Sequence, residues 1–211
     1  MDQLQDLDIV MTNIVILIGP REQEAAPLNQ ERLNQILHPP LSIGQTIDGG
    51  LVISSPRDQI EVILVQNQLN VRDISGKTPS ERPLTSKVVS ELFLSINSPI
   101  TAYGLNYELT FKSANGVTPS NWIASTFGNV KNIQKHTNLQ VDYRAVTLQV
   151  HHESKLWNLS IGAASEERIR VELNAHASTS AFPSEKELVQ EFADEYKKLL
   201  PFVESLNSRV R

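Results

Sequence analysis

The chain has 211 residues, 40% of them hydrophobic and 20% charged, with a formal charge of −5 and no cysteine. That length suits one medium domain or two small, closely packed ones. The missing thiols exclude disulfides, zinc ribbons and cysteine nucleophiles, and the acidic balance argues against broad nucleic-acid or acidic-membrane binding.

The opening residues Met1 to Asp8 are acidic where a signal peptide is basic. The apolar run Ile14 to Ile18 is too short to span a bilayer. A cytoplasmic protein with no membrane contact is expected.

Leu7 to Ile18 is β-branched and apolar on both faces toward its end, which predicts a long strand central in a sheet. Leu28, Leu33, Ile36 and Leu37 predict a short helix that Pro39-Pro40 stops. Three short strands follow, Leu51 to Ser54, Gln59 to Val65 and Gln68 to Ile74, with turns at Pro56-Arg57-Asp58 and near Gln66 and Asn67. Val88, Val89, Leu92, Phe93 and Ile96 recur at helical spacing, with Thr85 or Ser86 as the N-cap.

The alternation is plainest in Thr101 to Phe111, where Tyr103, Leu105, Tyr107, Leu109 and Phe111 share one face of an extended chain. Thr118-Pro119 opens a helix carrying Trp122, Ile123 and Phe127, and Gly128 ends it. Three more alternating segments follow. Arg144, Val146, Leu148 and Val150 share a face of the first, Trp157, Leu159 and Ile161 of the second, and Ile169, Val171, Leu173 and Ala175 of the third. Last comes a helix with a capping box at Ser184 to Glu187 and a stripe of Leu188, Phe192, Tyr196, Leu199, Val203 and Leu206. Pro201 should kink or divide it.

The two halves share an order: strand, short helix, three strands, longer helix. Asp8 falls opposite Thr101 at an offset of 101 − 8 = 93, and Leu28 opposite Pro119 at 119 − 28 = 91. The expected fold class is α+β, mainly antiparallel sheet with helices on one face. It is read either as a tandem of two units over residues 1–98 and 99–211, or as one continuous domain. The repeat order resembles that of the saddle-shaped TATA-binding protein, also a tandem of strands and helices. No motif of that family accompanies it, and the acidic charge runs against its DNA-binding role, so membership is not inferred.

His151, Glu153 and His176 form the best metal-like set, since His151 and Glu153 share a strand face. They flank a turn, where exposed polar residues are ordinary. Arg144, Arg168 and Arg170 suit an anion or a partner's carboxylates; the plainer reading is a solvated sheet face paired with Glu166, Glu167 or Glu172. Tyr103, Tyr107, Trp122 and Trp157 read as core before they read as a ligand platform. No nucleophile elbow, Walker A sequence or dinucleotide loop is present.

These signs point to a non-enzymatic interaction module without a cofactor, assembling with a protein partner or with itself. Leu188, Phe192, Tyr196, Leu199 and Val203 are its candidate partner face. The competing expectation is a small-molecule or metal pocket between sheet and terminal helix, lined by Trp157, Tyr103 and Tyr196, with His151, His152 and His176 as its chemistry.

Overall fold

A computed structural model describes residues 7–19, 30–47, 49–96, 99–113, 117–128, 145–179 and 181–208. The first half runs β1 (Asp8–Ile18), α1 (Gln30–Ile36), β2 (Ser42–Gln45), β3 (Leu51–Ser55), β4 (Ile60–Val65), β5 (Gln68–Asp73) and α2 (Leu84–Ile96). The second runs β6 (Ile100–Lys112), α3 (Pro119–Phe127), β7 (Ala145–His152), β8 (Lys155–Ala163), β9 (Arg168–Ser178) and α4 (Glu185–Ser208).

Alternation along each strand builds one antiparallel sheet of nine strands, ordered β2-β3-β4-β5-β1-β6-β9-β8-β7. The two longest runs of buried side chains, on β1 and β6, lie side by side at its centre. On β6 the odd-numbered residues Tyr103 to Phe111 face one way and are buried, while Asn106 and Glu108 face the other way and are half-buried. The helices rest on the apolar face: α2 on β1 and β5, α3 on β7 and β8, and α4 on β6, β9 and α2.

The α4 stripe shows why the helices sit there. Leu188, Phe192, Leu199 and Val203 are at most 1% exposed and Tyr196 is 6% exposed. Burying each large apolar side chain contributes about 1.5–3 kcal/mol. Those five residues, the expected partner face, are covered in the single chain by its own sheet and helices. Pro201 neither divides nor ends α4. It lies on the exposed side, and the carbonyl it leaves without a helical donor belongs to exposed Lys197.

Other expectations meet the fold in detail. Ser184 and Glu187 form the capping box, the Ser184 N–H donating to Glu187 Oε2 at 2.9 Å. Thr118 Oγ1 accepts from the Asn121 N–H and caps α3, which ends before Gly128. Helix α2 starts at Leu84, so Thr85 and Ser86 lie inside its first turn and neither is its cap. Strand β2 was absent from the sequence reading because it is four exposed residues including Gly44, with no apolar alternation to mark it. Leu28 and Arg144 lie outside the described residues.

Candidate functional site

The face of the sheet opposite the helices is bare among the described residues. Its central row consists of carboxamides. Across β1, β6, β9, β8 and β7 the register pairs Asn13 with Asn106, Asn106 with Asn174, Asn174 with Asn158 and Asn158 with Gln149. Asn70 on β5 extends the row, its Oδ1 accepting from Asn13 Nδ2 at 2.9 Å. Asn174 Nδ2 donates to Asn106 Oδ1, and Gln149 Nε2 donates to Asn158 Oδ1 at 3.0 Å. Six amides thus lie on six adjacent strands, linked in pairs by their side chains.

Gly104 makes room for this row. A Cβ there would stand 2.8 Å from Asn174 Nδ2. Around the amides lies a depression of about 330 Å³, whose lining includes Met11, Val15, Glu108, Ser160 and Glu172. The charges on this face pair with one another: Arg170 with Glu172 at 3.3 Å and Glu108 at 3.9 Å, and Arg72 with Glu61 at 3.9 Å. The Asn13 Oδ1 is buried and has no hydrogen-bond partner.

On the helix side, the first half of α4 meets the β7–β8 turn in a charged cluster. Lys155 Nζ lies 2.7 Å from Glu191 Oε1 and 2.9 Å from Glu195 Oε1, and Lys198 bridges Glu195 and Glu153. Trp157 Nε1 donates to Glu195 Oε2 at 2.9 Å, and the Tyr103 hydroxyl donates to Glu191. Burial alone would raise the Glu195 carboxyl; the bonds and charge of Lys155 and Lys198 outweigh it and hold it below the usual carboxylate range. Burial and then Glu191 push the Tyr103 phenol up. Beside the cluster lies a cleft of about 1010 Å³.

A third cluster combines His38, Asp58 and Ser55 without the order of a catalytic triad. His38 Nδ1 is 2.8 Å from Asp58 Oδ1, but Ser55 Oγ donates to Asp58 Oδ2 at 2.8 Å and not to the imidazole. The His38 backbone N–H and the Arg82 guanidinium, which bonds the Asp58 carbonyl, complete a clip that ties the α1–β2 loop to the β3–β4 turn.

The remaining sequence candidates are placed as follows. Arg168 bonds Asp8 and Thr110, and Arg170 pairs with Glu108 and Glu172, so both sit in the cross-strand pairing of a solvated face. His151 and His176 belong to the bare face with Leu156 between them in the register, while Glu153 occupies the hairpin turn at φ 54° and pairs with Lys198. Among the described residues no three His, Asp or Glu side chains converge as a metal-holding set. His152 stacks on Trp157 at 4.9 Å. Tyr107 and Trp122 are buried against Phe192 and Phe111.

Sequence reasoning passed over the amide row. Its signal was the asparagines themselves. Asn is depleted in strands, yet one stands inside each of β1, β5, β6, β8 and β9.

Fold and site together define an α+β protein whose sheet, among the described residues, has one helix-covered face and one bare, amide-lined face. No family model matches the chain, and no curated protein does. Among solved structures it is similar to Methanococcus jannaschii TBP, with 12% sequence identity and a TM-score of 0.35, over 91% of this chain and 98% of that one. A likeness that slight carries no argument about this protein. No helix among the described residues is long and apolar enough to cross a membrane.

Proposed function

We propose that the protein is a non-enzymatic interaction module, a subunit or adaptor that holds a protein partner on the bare face of its sheet. The observation carrying this reading is the row of six amides on that face. Each primary amide offers two N–H donors and a carbonyl acceptor, matching both polar groups of a peptide unit. Met11 and Val15 flank Asn13 and supply half-buried apolar contact. Among the described residues Arg72 and Arg170 on this face pair with Glu61, Glu108 and Glu172, an arrangement that does not favour phosphates. A protein suits this surface better than a nucleic acid.

The test compares wild type with an Asn158→Arg/Asn174→Arg variant, each isolated from the protein's own source after nuclease treatment. The expected result is a stoichiometric protein that wild type retains and the variant loses. A protein retained equally by both, or lost on nuclease treatment, would count against the reading.

The cleft beside α4 favours a second reading, a small-molecule site. Glu191, Lys155 and Tyr103 in its lining already bond one another, so a ligand reaching them would displace those pairs. A metabolite that raises the Tm of wild type but not of Tyr103→Phe would support it.

We also infer that the chain is a tandem duplication. Asn13 and Asn106 differ by 106 − 13 = 93, the offset that relates Asp8 to Thr101, and they are direct partners across β1 and β6. A two-fold axis through this pair would exchange the two halves. Among the described residues, four strands follow the short helix in the first half and three in the second.

A further inference from the structure

The sheet ends in two different edges. Strand β2 is four residues long and exposed along its length, and short edges are one way proteins avoid unwanted pairing. Strand β7, Ala-Val-Thr-Leu-Gln-Val-His-His, is eight residues long and pairs with β8 without a bulge from Ala145 to His152. It has none of the usual guards: no Lys, Arg, Asp, Glu, Pro or Gly. In an antiparallel ladder every second residue turns its N–H and C=O away from the neighbouring strand. Among the described residues, no strand lies beyond β7 to receive them.

We infer that β7 is an interface to a second copy of this chain, with the two β7 strands pairing antiparallel about a two-fold axis. Self-pairing restricts the register. Residues directly opposite must share a face, so the axis has to lie between the two copies of one residue, which becomes its own partner. An axis at Leu148 sets Leu148 against Leu148, Val146 against Val150, Thr147 against Gln149 and Ala145 against His151. The apolar row Val146, Leu148 and Val150 then meets only itself, and Val150, 37% exposed in the single chain, gains cover. An axis at Gln149 would set Val146 against His152 and break that row. The partner fitted by this edge is therefore the edge itself, in a register that extends the helix-covered apolar layer across the dyad.

The absence of native cysteine makes the register directly readable. Residues opposite each other in an antiparallel pair have Cα atoms about 4.5–5.5 Å apart, within disulfide range. On oxidation, Thr147→Cys and Gln149→Cys chains should cross-link to each other when mixed, several-fold more than either does alone. In light scattering, wild type should rise with concentration from 23.6 kDa toward 2 × 23.6 = 47.2 kDa. Val150→Lys, which adds a guarding charge to the edge, should stay at 23.6 kDa. A wild type monomeric at every concentration, a Val150→Lys chain that still doubles in mass, or a mixture that cross-links no better than its components would each overturn the inference. This edge is separate from the amide face, so its failure would leave the reading of that face standing.

Discussion

Replacing Phe192 with alanine distinguishes a terminal helix docked on its own sheet from one held free for a partner. Phe192 is 1% exposed, its ring centroid lies 5.1 Å from that of Tyr107, and its carbonyl accepts the Tyr107 hydroxyl at 2.7 Å. Truncating a fully buried Phe costs about 3–5 kcal/mol, to which the lost ring pair contributes about 0.5–1.5 kcal/mol. That is a large part of the roughly 5–15 kcal/mol that stabilises a typical domain. Urea unfolding, followed through Trp122 and Trp157, should show the midpoint falling by roughly 2 M for a slope of about 2 kcal/mol/M. Leu94→Ala, at a side chain 69% exposed on α2, provides the reference and should hardly move it. A Phe192→Ala loss below about 0.5 kcal/mol, the range of surface substitutions, would refute the docked helix.

Glu195→Ala leaves the Trp157 N–H without its acceptor and Lys155 with Glu191 alone, and should cost about 3 kcal/mol; additivity with Lys155→Met in a double-mutant cycle would contradict this. The folded-state values of Glu195 and Asp58 are both lowered, so each carboxylate stabilises the fold above its unfolded value and loses that contribution as pH falls through the folded one. Stability should therefore decline below about pH 4.5, and less so in Glu195→Gln; an unchanged acid limb in that variant would count against the cluster. Lys198 is raised, chiefly by its bond to Glu153, so its contribution is complete below 10.5 and lost above it. Gly104→Ala should keep the fold, because the atom it meets is the end of a flexible side chain, yet shift the Asn174 side-chain amide resonances. Unmoved Asn174 signals would show that the amide does not lie over β6.

The residues whose pattern is strictly local were readable in advance. The odd positions of β6, the Thr118 and Ser184 caps and the hairpin near Glu153 each follow from a period of two or a capping rule within a few residues. The fate of the α4 stripe was not local: periodicity shows that Leu188 to Val203 is apolar on one side, but not which surface covers it. The amide row is less local still. Asn13, Asn70, Asn106, Asn158 and Asn174 are scattered through the sequence and become neighbours only through strand order and register. The His38–Asp58 clip likewise joins two loops, and no spacing rule links them.

Met11 offers the most direct test of the bare face. It is half-buried beside Asn13, and the only other methionine is Met1. Its conversion to sulfoxide by peroxide, timed by mass spectrometry in the free protein and in the co-purified complex, reports cover at that spot. The expected result is oxidation slowed several-fold in the complex, with Met1 unaffected. Equal rates for Met11 in both states would contradict a partner seated on the amide face.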